Sequence, residues 1–213
     1  MKSVKVWDIF VRIFHWTLVG SMIGLYLSGE DFKGVHIRLG YFVTCLVLSR
    51  VIWGFIGTKH ARFNDFLYRP GKIYQYLKSL IGGNPTHYIG HNPAGGLMII
   101  VMLLSLLVTA FTGLKTLANE GRGPLADTGG ASILQFAYAD EDEHDDDDQK
   151  HETGHHQKKQ KEEFWEEIHE SMSSFMILLI IIHLGGVIVS SWIHKENLVL
   201  AMINGRKKPN NLH

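Results

Sequence analysis

The stretch "HESMSSFMILLIIIHLGGVIVSSWI", from His169 to Ile193, decides the fold because it is long and apolar enough to cross a lipid bilayer as one helix. It carries two histidines, His169 and His183, fourteen positions apart. At about 100° and 1.5 Å per residue, their side chains share one face of the helix and lie about 21 Å apart along its axis. Ionisable groups inside a membrane are costly and mark functional positions, so this spacing predicts one site at each of two depths.

Three other segments have the length and composition of a membrane span. They cover about 9–28, 36–56 and 93–116, and each is near the roughly 20 residues that a spanning helix needs. The sequence therefore predicts an all-α integral membrane protein, a four-helix transmembrane bundle that forms one domain over residues 1–213. No cleavable signal peptide is evident, so the first span is interpreted as a retained anchor.

Composition excludes several other classes of protein. The single cysteine, Cys45, rules out a disulfide framework or a thiolate-held metal cluster within one chain. The formal net charge of zero averages segments of opposite sign, and nothing indicates a nucleic-acid partner. The expected partner of the apolar surface is membrane lipid.

The distribution of Lys and Arg predicts the orientation. Basic residues flank the N-terminus, the segment between spans two and three, and the C-terminal tail, which four spans place on one side. We therefore expect a multi-pass protein of the bacterial inner membrane with both termini cytoplasmic.

A long acidic segment, about 119–163, is then periplasmic. Its core lacks apolar residues and is predicted to be disordered. Its histidines, with the neighbouring aspartates, could bind divalent metal ions loosely or simply form a solvated tract; they are His144, His151, His155 and His156.

The topology matches each histidine of the fourth span with one on another span. His36 opens span two at the outer surface and pairs in depth with His169, whereas His15 lies near the inner end of span one and pairs with His183. Two imidazoles from facing helices suit the axial positions of haem iron. Structural zinc needs four ligands at one point, and a proton relay needs polar groups along the middle of the membrane, so neither fits this pattern.

Four more residues are candidates for cofactor binding. Arg12, Arg38 and Arg50 could pair with haem propionates, although Arg12 could equally reach the lipid headgroups. His91, in "YIGHNPAGG", is a rival to His15 as inner ligand, and it could instead line a quinone or partner site or cap the third span.

Several stretches together resemble the bacterial cytochrome b561 family, which includes the cytochrome b subunit of Ni,Fe-hydrogenases. They are "VWDIFVRIFHW", "HIRLGY", "RVIWGFIG", "HYIGHNPAGG", "EIHESMSSFMILLIIIHLGG" and "SWIHKENLVLAMINGRK". The resemblance implies a four-helix bundle with two haem b groups, with ligands at His15, His36, His169 and His183. It also implies electron transfer between the quinone pool and a redox partner, such as a hydrogenase or a cytochrome c.

The predicted function is therefore that of a respiratory-chain oxidoreductase component with quinone as exchangeable substrate. One alternative is a stand-alone superoxide:quinone oxidoreductase of the same fold. Another, from a different class, is a membrane-anchored divalent-metal-binding protein that uses the acidic loop. That loop departs from the short connection expected of the family, and it could dock a basic cytochrome c or act as a solubilising tether.

Overall fold

The computed structural model describes residues 4–29, 31–83, 85–126 and 148–207, and of residues 148–159, 161 and 162 it describes the backbone only. The described chain is almost entirely helical. Its helices are α1 (Ile9–Ser28), α2 (Lys33–Ile56), α3 (Phe63–Phe66), α4 (Pro70–Ile81), α5 (Pro93–Asn119), α6 (Asp148–His194) and α7 (Leu198–Asn204). A 3₁₀ turn, Lys59–Ala61, precedes α3, and two short strands are β1 (Val4–Lys5) and β2 (Arg206–Lys207).

Four helices of the described chain are long and apolar enough to cross a membrane. They are α1, α2, α5 and the part of α6 from Glu163 to His194. Large apolar side chains on their surfaces remain exposed, among them Leu27 (76%), Phe55 (70%) and Ile188 (68%). Such exposure is costly in water but favourable in lipid, and the predicted all-α membrane fold is confirmed.

The described chain divides into two compact units, residues 1–107 with 176–213, and residues 108–175. All four spanning helices contribute to the core of the first unit. Its buried members are Phe14, Val43, Val47, Leu103, Leu106, Met176 and Leu179. At the start of α5, Gly96 lies directly against the backbone carbonyl of Phe66, so a side chain at this position would collide with α3.

Asp8 joins the beginning of α1 to the end of α2. Its carboxylate caps α1 by accepting a hydrogen bond from the Val11 backbone nitrogen at 2.8 Å. It also accepts bonds from Trp53 Nε1 at 3.1 Å and Thr58 Oγ1 at 2.6 Å. Burial opposes ionisation of Asp8, but these hydrogen bonds together outweigh it and lower the pKa of the carboxyl below its ordinary value.

The two ends of the first unit pair with each other. Strands β1 and β2 are antiparallel, with Val4 opposite Lys207 and Lys5 opposite Arg206. Gly205, in the left-handed conformation at φ 77°, ends α7 and accepts a hydrogen bond from the Val6 nitrogen at 2.9 Å. Residues 4–6 and 205–207 are therefore joined to each other within this unit.

Helix α6 begins well before the membrane-spanning part. The disorder of the segment 119–163 stays a prediction, and within it the backbone that the structure describes from Asp148 onward is helical. This stretch is rich in Lys, Gln and Glu, which have a favourable intrinsic helix propensity. Most of the remaining acidic tract, residues 127–147, lies outside the described residues.

Candidate functional site

His15 on α1 and His183 on α6 face each other in the first unit. Their ring centroids are 6.5 Å apart and the ring planes are tilted by 55°. Each histidine adjoins the core: Phe14 precedes His15, and Leu179 lies one helical turn before His183. His15 Nδ1 is buried and has no hydrogen-bond partner among the described residues. The structure thus brings together one of the two histidine pairs that the sequence predicts.

His36, near the start of α2, is held by the end of α1. Its Nδ1 lies 3.1 Å from the backbone carbonyl oxygen of Leu25. A carbonyl can only accept, so Nδ1 must carry the proton, and the ring lone pair is then on Nε2.

His169, in the second unit, has the same arrangement against α5. Its Nδ1 lies 3.0 Å from the Thr109 carbonyl oxygen and 3.1 Å from Thr112 Oγ1. Thr112 Oγ1 itself donates to the Thr109 carbonyl, so here too the carbonyl fixes the proton on Nδ1 and the lone pair on Nε2.

Gly113, which has no side chain, leaves the space on α5 that the His169 imidazole occupies. A Cβ atom at this position would lie 2.9 Å from His169 Cε1 and 3.3 Å from Nδ1, closer than ordinary van der Waals contact. Sequence reasoning missed both Thr112 and Gly113. Neither residue stands out within the sequence of α5, and only the contact with His169 on α6 reveals their role.

The three arginines have different surroundings. Arg50 on α2 is only 3% exposed, and its Nη2 donates to the Ala61 carbonyl at 3.1 Å. Its Nη1, like Arg12 Nε on α1, is buried with no hydrogen-bond partner among the described residues. The Arg38 side chain is exposed.

His91 lies between aromatic rings just before α5. Its ring centroid is 4.4 Å from that of Trp7 and 4.9 Å from that of Phe66, and its carbonyl accepts a hydrogen bond from Tyr68 at 3.0 Å. Its Nδ1 is buried and unpartnered within the part of the chain that the structure describes.

Burial, and then the positive charge of Arg50, lower the pKa of His91 to about 3, so its ring is neutral at physiological pH. His91 does not cap α5. That role belongs to Asn92, whose side-chain oxygen accepts from the Gly95 nitrogen at 2.7 Å.

A dedicated metal centre of another kind is not found in the described chain. Among the residues whose side chains are described, no group of three or more His, Cys, Asp or Glu residues could hold a metal ion. The loop histidines at 144, 151, 155 and 156 fall outside those residues.

Comparison with known proteins identifies the family. The model of the prokaryotic cytochrome b561 family matches residues 6–205, which include the candidate haem ligands, His91 and the three candidate arginines. The chain belongs to the prokaryotic cytochrome b561 family. Membership indicates a multi-pass bacterial membrane protein of a family of b-type cytochromes, which implies haem b as the cofactor.

Curated relatives of this cytochrome b561 chain include probable Ni/Fe-hydrogenase B-type cytochrome subunits. The one from Rhizobium leguminosarum bv. viciae is 29% identical over 152 residues, which are 57% of this chain and 62% of that relative. The one from Azotobacter chroococcum mcd 1 is 26% identical over 159 residues, covering 59% and 64% respectively. The chain therefore spans about six-tenths of the length of these relatives. No solved structure matches it.

Proposed function

We propose that the protein holds two haem b groups, one between His15 and His183 and one between His36 and His169. Through them it passes electrons across the bacterial cytoplasmic membrane between the quinone pool and a redox partner. The observation that carries this proposal is the spacing of the His15 and His183 rings. Bound haem b supplies one-electron oxidation and reduction at its iron.

The spacing of this pair fits two imidazoles that would together hold one haem iron. Metal–imidazole bonds are about 2 Å long and a ring nitrogen is about 1 Å from its centroid, so two opposed ligands put their centroids about 6 Å apart. The observed distance is 6.5 Å. Two imidazoles joined by a hydrogen bond would have their centroids closer together. If the two histidines were merely packed in the core, an apolar side chain would fill the space between their rings.

The hydrogen bonds of His36 and His169 support ligation at the second site. Histidine ligands commonly donate their second ring N–H to a carbonyl, which fixes the tautomer, orients the ring and makes the ligating nitrogen more basic. Both histidines make this bond through Nδ1, with Leu25 and Thr109 respectively. Each ring would therefore ligate through Nε2.

Three buried polar atoms without partners among the described residues support the binding of haem propionates in the first unit. A buried guanidinium nitrogen without a partner costs free energy, and a carboxylate would satisfy it. Arg12 Nε and Arg50 Nη1 are two such atoms, and His91 Nδ1 adds a neutral one. We assign the propionate contacts to Arg12 and Arg50, and a positioning contact to His91. The exposed Arg38 would act at the outer haem.

The partner assignment rests on the relatives rather than on geometry. Because several are named as Ni/Fe-hydrogenase cytochrome subunits, we infer a hydrogenase-type partner at the outer face, with a cytochrome c as the alternative. Both termini are then cytoplasmic and the acidic loop periplasmic, in agreement with the distribution of Lys and Arg. Quinone is the expected exchangeable substrate.

The test is to count haems in single-histidine variants of the full-length protein. Wild type should bind two haem b groups per chain, and His169→Ala and His183→Ala should each lose one, leaving components of different midpoint potential. His194→Gln, at the end of the same helix, is the matched control and should keep both. A wild-type protein without haem, or full haem content in both alanine variants, would overturn the assignment.

Electron transfer is tested separately with the purified protein. Reduction of its haem by a quinol in the absence of any partner would indicate an enzyme active alone. Reduction only after a hydrogenase or cytochrome c is added would indicate a subunit. Failure of quinol to reduce the haem under both conditions would contradict the quinone assignment.

A further inference from the structure

Helix α4, in the connection between α2 and α5, has two different apolar faces. Tyr76, which is 4% exposed, and the partly buried Ile73 and Leu80 turn toward the protein. A second stripe, which we call the outward face, consists of Tyr74, Leu77 and Ile81, which are 69%, 42% and 91% exposed. At about 100° per residue, the outward face lies about 100° around the helix from the first, and its exposure shows that the described residues leave it uncovered.

Three tyrosines fix α4 at the level where α5 enters the membrane. The Tyr88 ring contacts both Tyr68 and Tyr76, with centroids 5.8 Å apart in each case. Tyr68 also donates to the carbonyl of His91, two residues before α5 begins at Pro93. Tyrosine is favoured at the membrane–water interface because one end of its side chain is apolar and the other polar. The outward face is thereby held next to the end of a spanning helix.

The charge of this connection is strongly positive. Residues 57–83 contain five cations and one carboxylate, Asp65, which is paired with His60 at 2.8 Å. The five cations are all exposed; they are Lys59, Arg62, Arg69, Lys72 and Lys78. Lys78 lies one residue after Leu77 and so flanks the outward face directly.

We infer that α4 lies in the plane of the membrane interface, with the outward face inserted among acyl chains and the flanking cations bound to anionic phospholipid headgroups. An amphipathic helix with a basic polar side binds a membrane in this way, with its apolar face buried about 5–10 Å below the headgroups. A docked protein partner would also cover an apolar face, but α4 is tied to the end of a spanning helix, where lipid is already present. The inference does not depend on haem or on quinone.

The experiment places one fluorescent label at a time on α4 of the full-length protein in liposomes. The only native cysteine is removed by Cys45→Ser, and an environment-sensitive dye is attached through Leu77→Cys or, as the matched control on the polar side, Gln75→Cys. We expect a blue-shifted emission maximum at position 77 and a water-like one at position 75. Gel filtration and circular dichroism confirm that each labelled protein is folded.

Quenching of the dye by spin-labelled lipids shows which lipid lies next to the outward face. Spin-labelled phosphatidylglycerol should quench the dye at position 77 more strongly than spin-labelled phosphatidylcholine does. Lys78→Gln should lower this preference by up to about fivefold, and added salt should lower it further. The matched substitution Gln75→Asn should leave it unchanged.

Each other result would overturn the inference in a recognisable way. Equal, water-like emission at both positions would mean that the outward face is not inserted. A blue-shifted label at position 77 that neither lipid quenches would mean that protein covers this face. Equal quenching by both lipids, unaffected by Lys78→Gln, would exclude anionic lipid as the ligand.

Discussion

Replacing Gly113 by alanine should disturb the proposed outer haem while leaving the proposed inner haem intact. The added methyl carbon would lie 2.9 Å from His169 Cε1, whereas ordinary contacts begin near 3.4 Å, so the imidazole must shift by about 0.5 Å. Crowding of this kind costs about 1–3 kcal/mol. Perturbed support of a metal ligand typically lowers metal affinity about 10–100-fold, and we expect a loss of that order for the outer haem.

The assay follows transfer of haem from the purified protein to excess apomyoglobin. Gly113→Ala should release one of the two proposed haems about 10–100 times faster than wild type, with a shifted midpoint potential for that component alone. Gly20→Ala is the matched control, because a Cβ at Gly20 meets nothing within 4 Å. Its helix should become slightly more stable, since alanine favours a helix more than glycine does. Identical release rates and potentials in the two variants would refute the proposal that Gly113 positions the His169 imidazole.

Three other predictions concern the first unit. Asp8→Ala should lower the free energy of unfolding in detergent by about 2–3 kcal/mol, because it removes the cap of α1 and the bond from Trp53. Since the pKa of Asp8 is lowered, this difference should be full above about pH 3.8 and shrink as the pH falls further, and a difference that does not change with pH would exclude the ionised carboxylate as a contributor. The pKa of His91 is lowered to about 3, so His91 stabilises the fold only while its ring is neutral. Between pH 6.5 and 3, the free energy of unfolding of wild type should therefore fall by up to about 5 kcal/mol relative to that of His91→Phe. Thermal-unfolding profiles of the two proteins that stay parallel over this pH range would show that the ring is not desolvated. Gly96→Ala should lower the melting temperature because its methyl group would collide with the Phe66 carbonyl, and an unchanged melting temperature would mean that α3 and α5 can separate at little cost.

The membrane fold could be predicted because hydropathy and helical periodicity are local signals. A run of apolar residues such as "LMIIVMLLSLLV" in α5 can satisfy its backbone in lipid only as a helix. The histidine spacing is equally local, since one helix carries both His169 and His183. The facing of His15 and His183 then followed from depth alone, and the structure places the two rings opposite each other.

Contacts between distant segments could not be predicted in the same way. Trp53 and Thr58 bond to Asp8 although they are 45 and 50 positions away from it in the sequence, and no pattern in either segment indicates the other. Two features nevertheless have a signal that is readable in the sequence. Asp8 directly before an apolar run is a typical N-cap, and Pro70 followed by the periodic Ile73, Tyr76 and Leu80 is typical of an amphipathic helix.

The pairing of β1 with β2 has a consequence for biosynthesis. Val4 and Lys5 pair with Lys207 and Arg206, which the ribosome adds about 200 residues later. Membrane insertion of α1 can begin early, but Trp7 stays uncovered until Ala201 of α7 packs against it. A chain that is terminated before α7 would therefore leave the Trp7 side chain exposed. The cell's proteases would have in this exposed ring a simple means of recognising unfinished molecules.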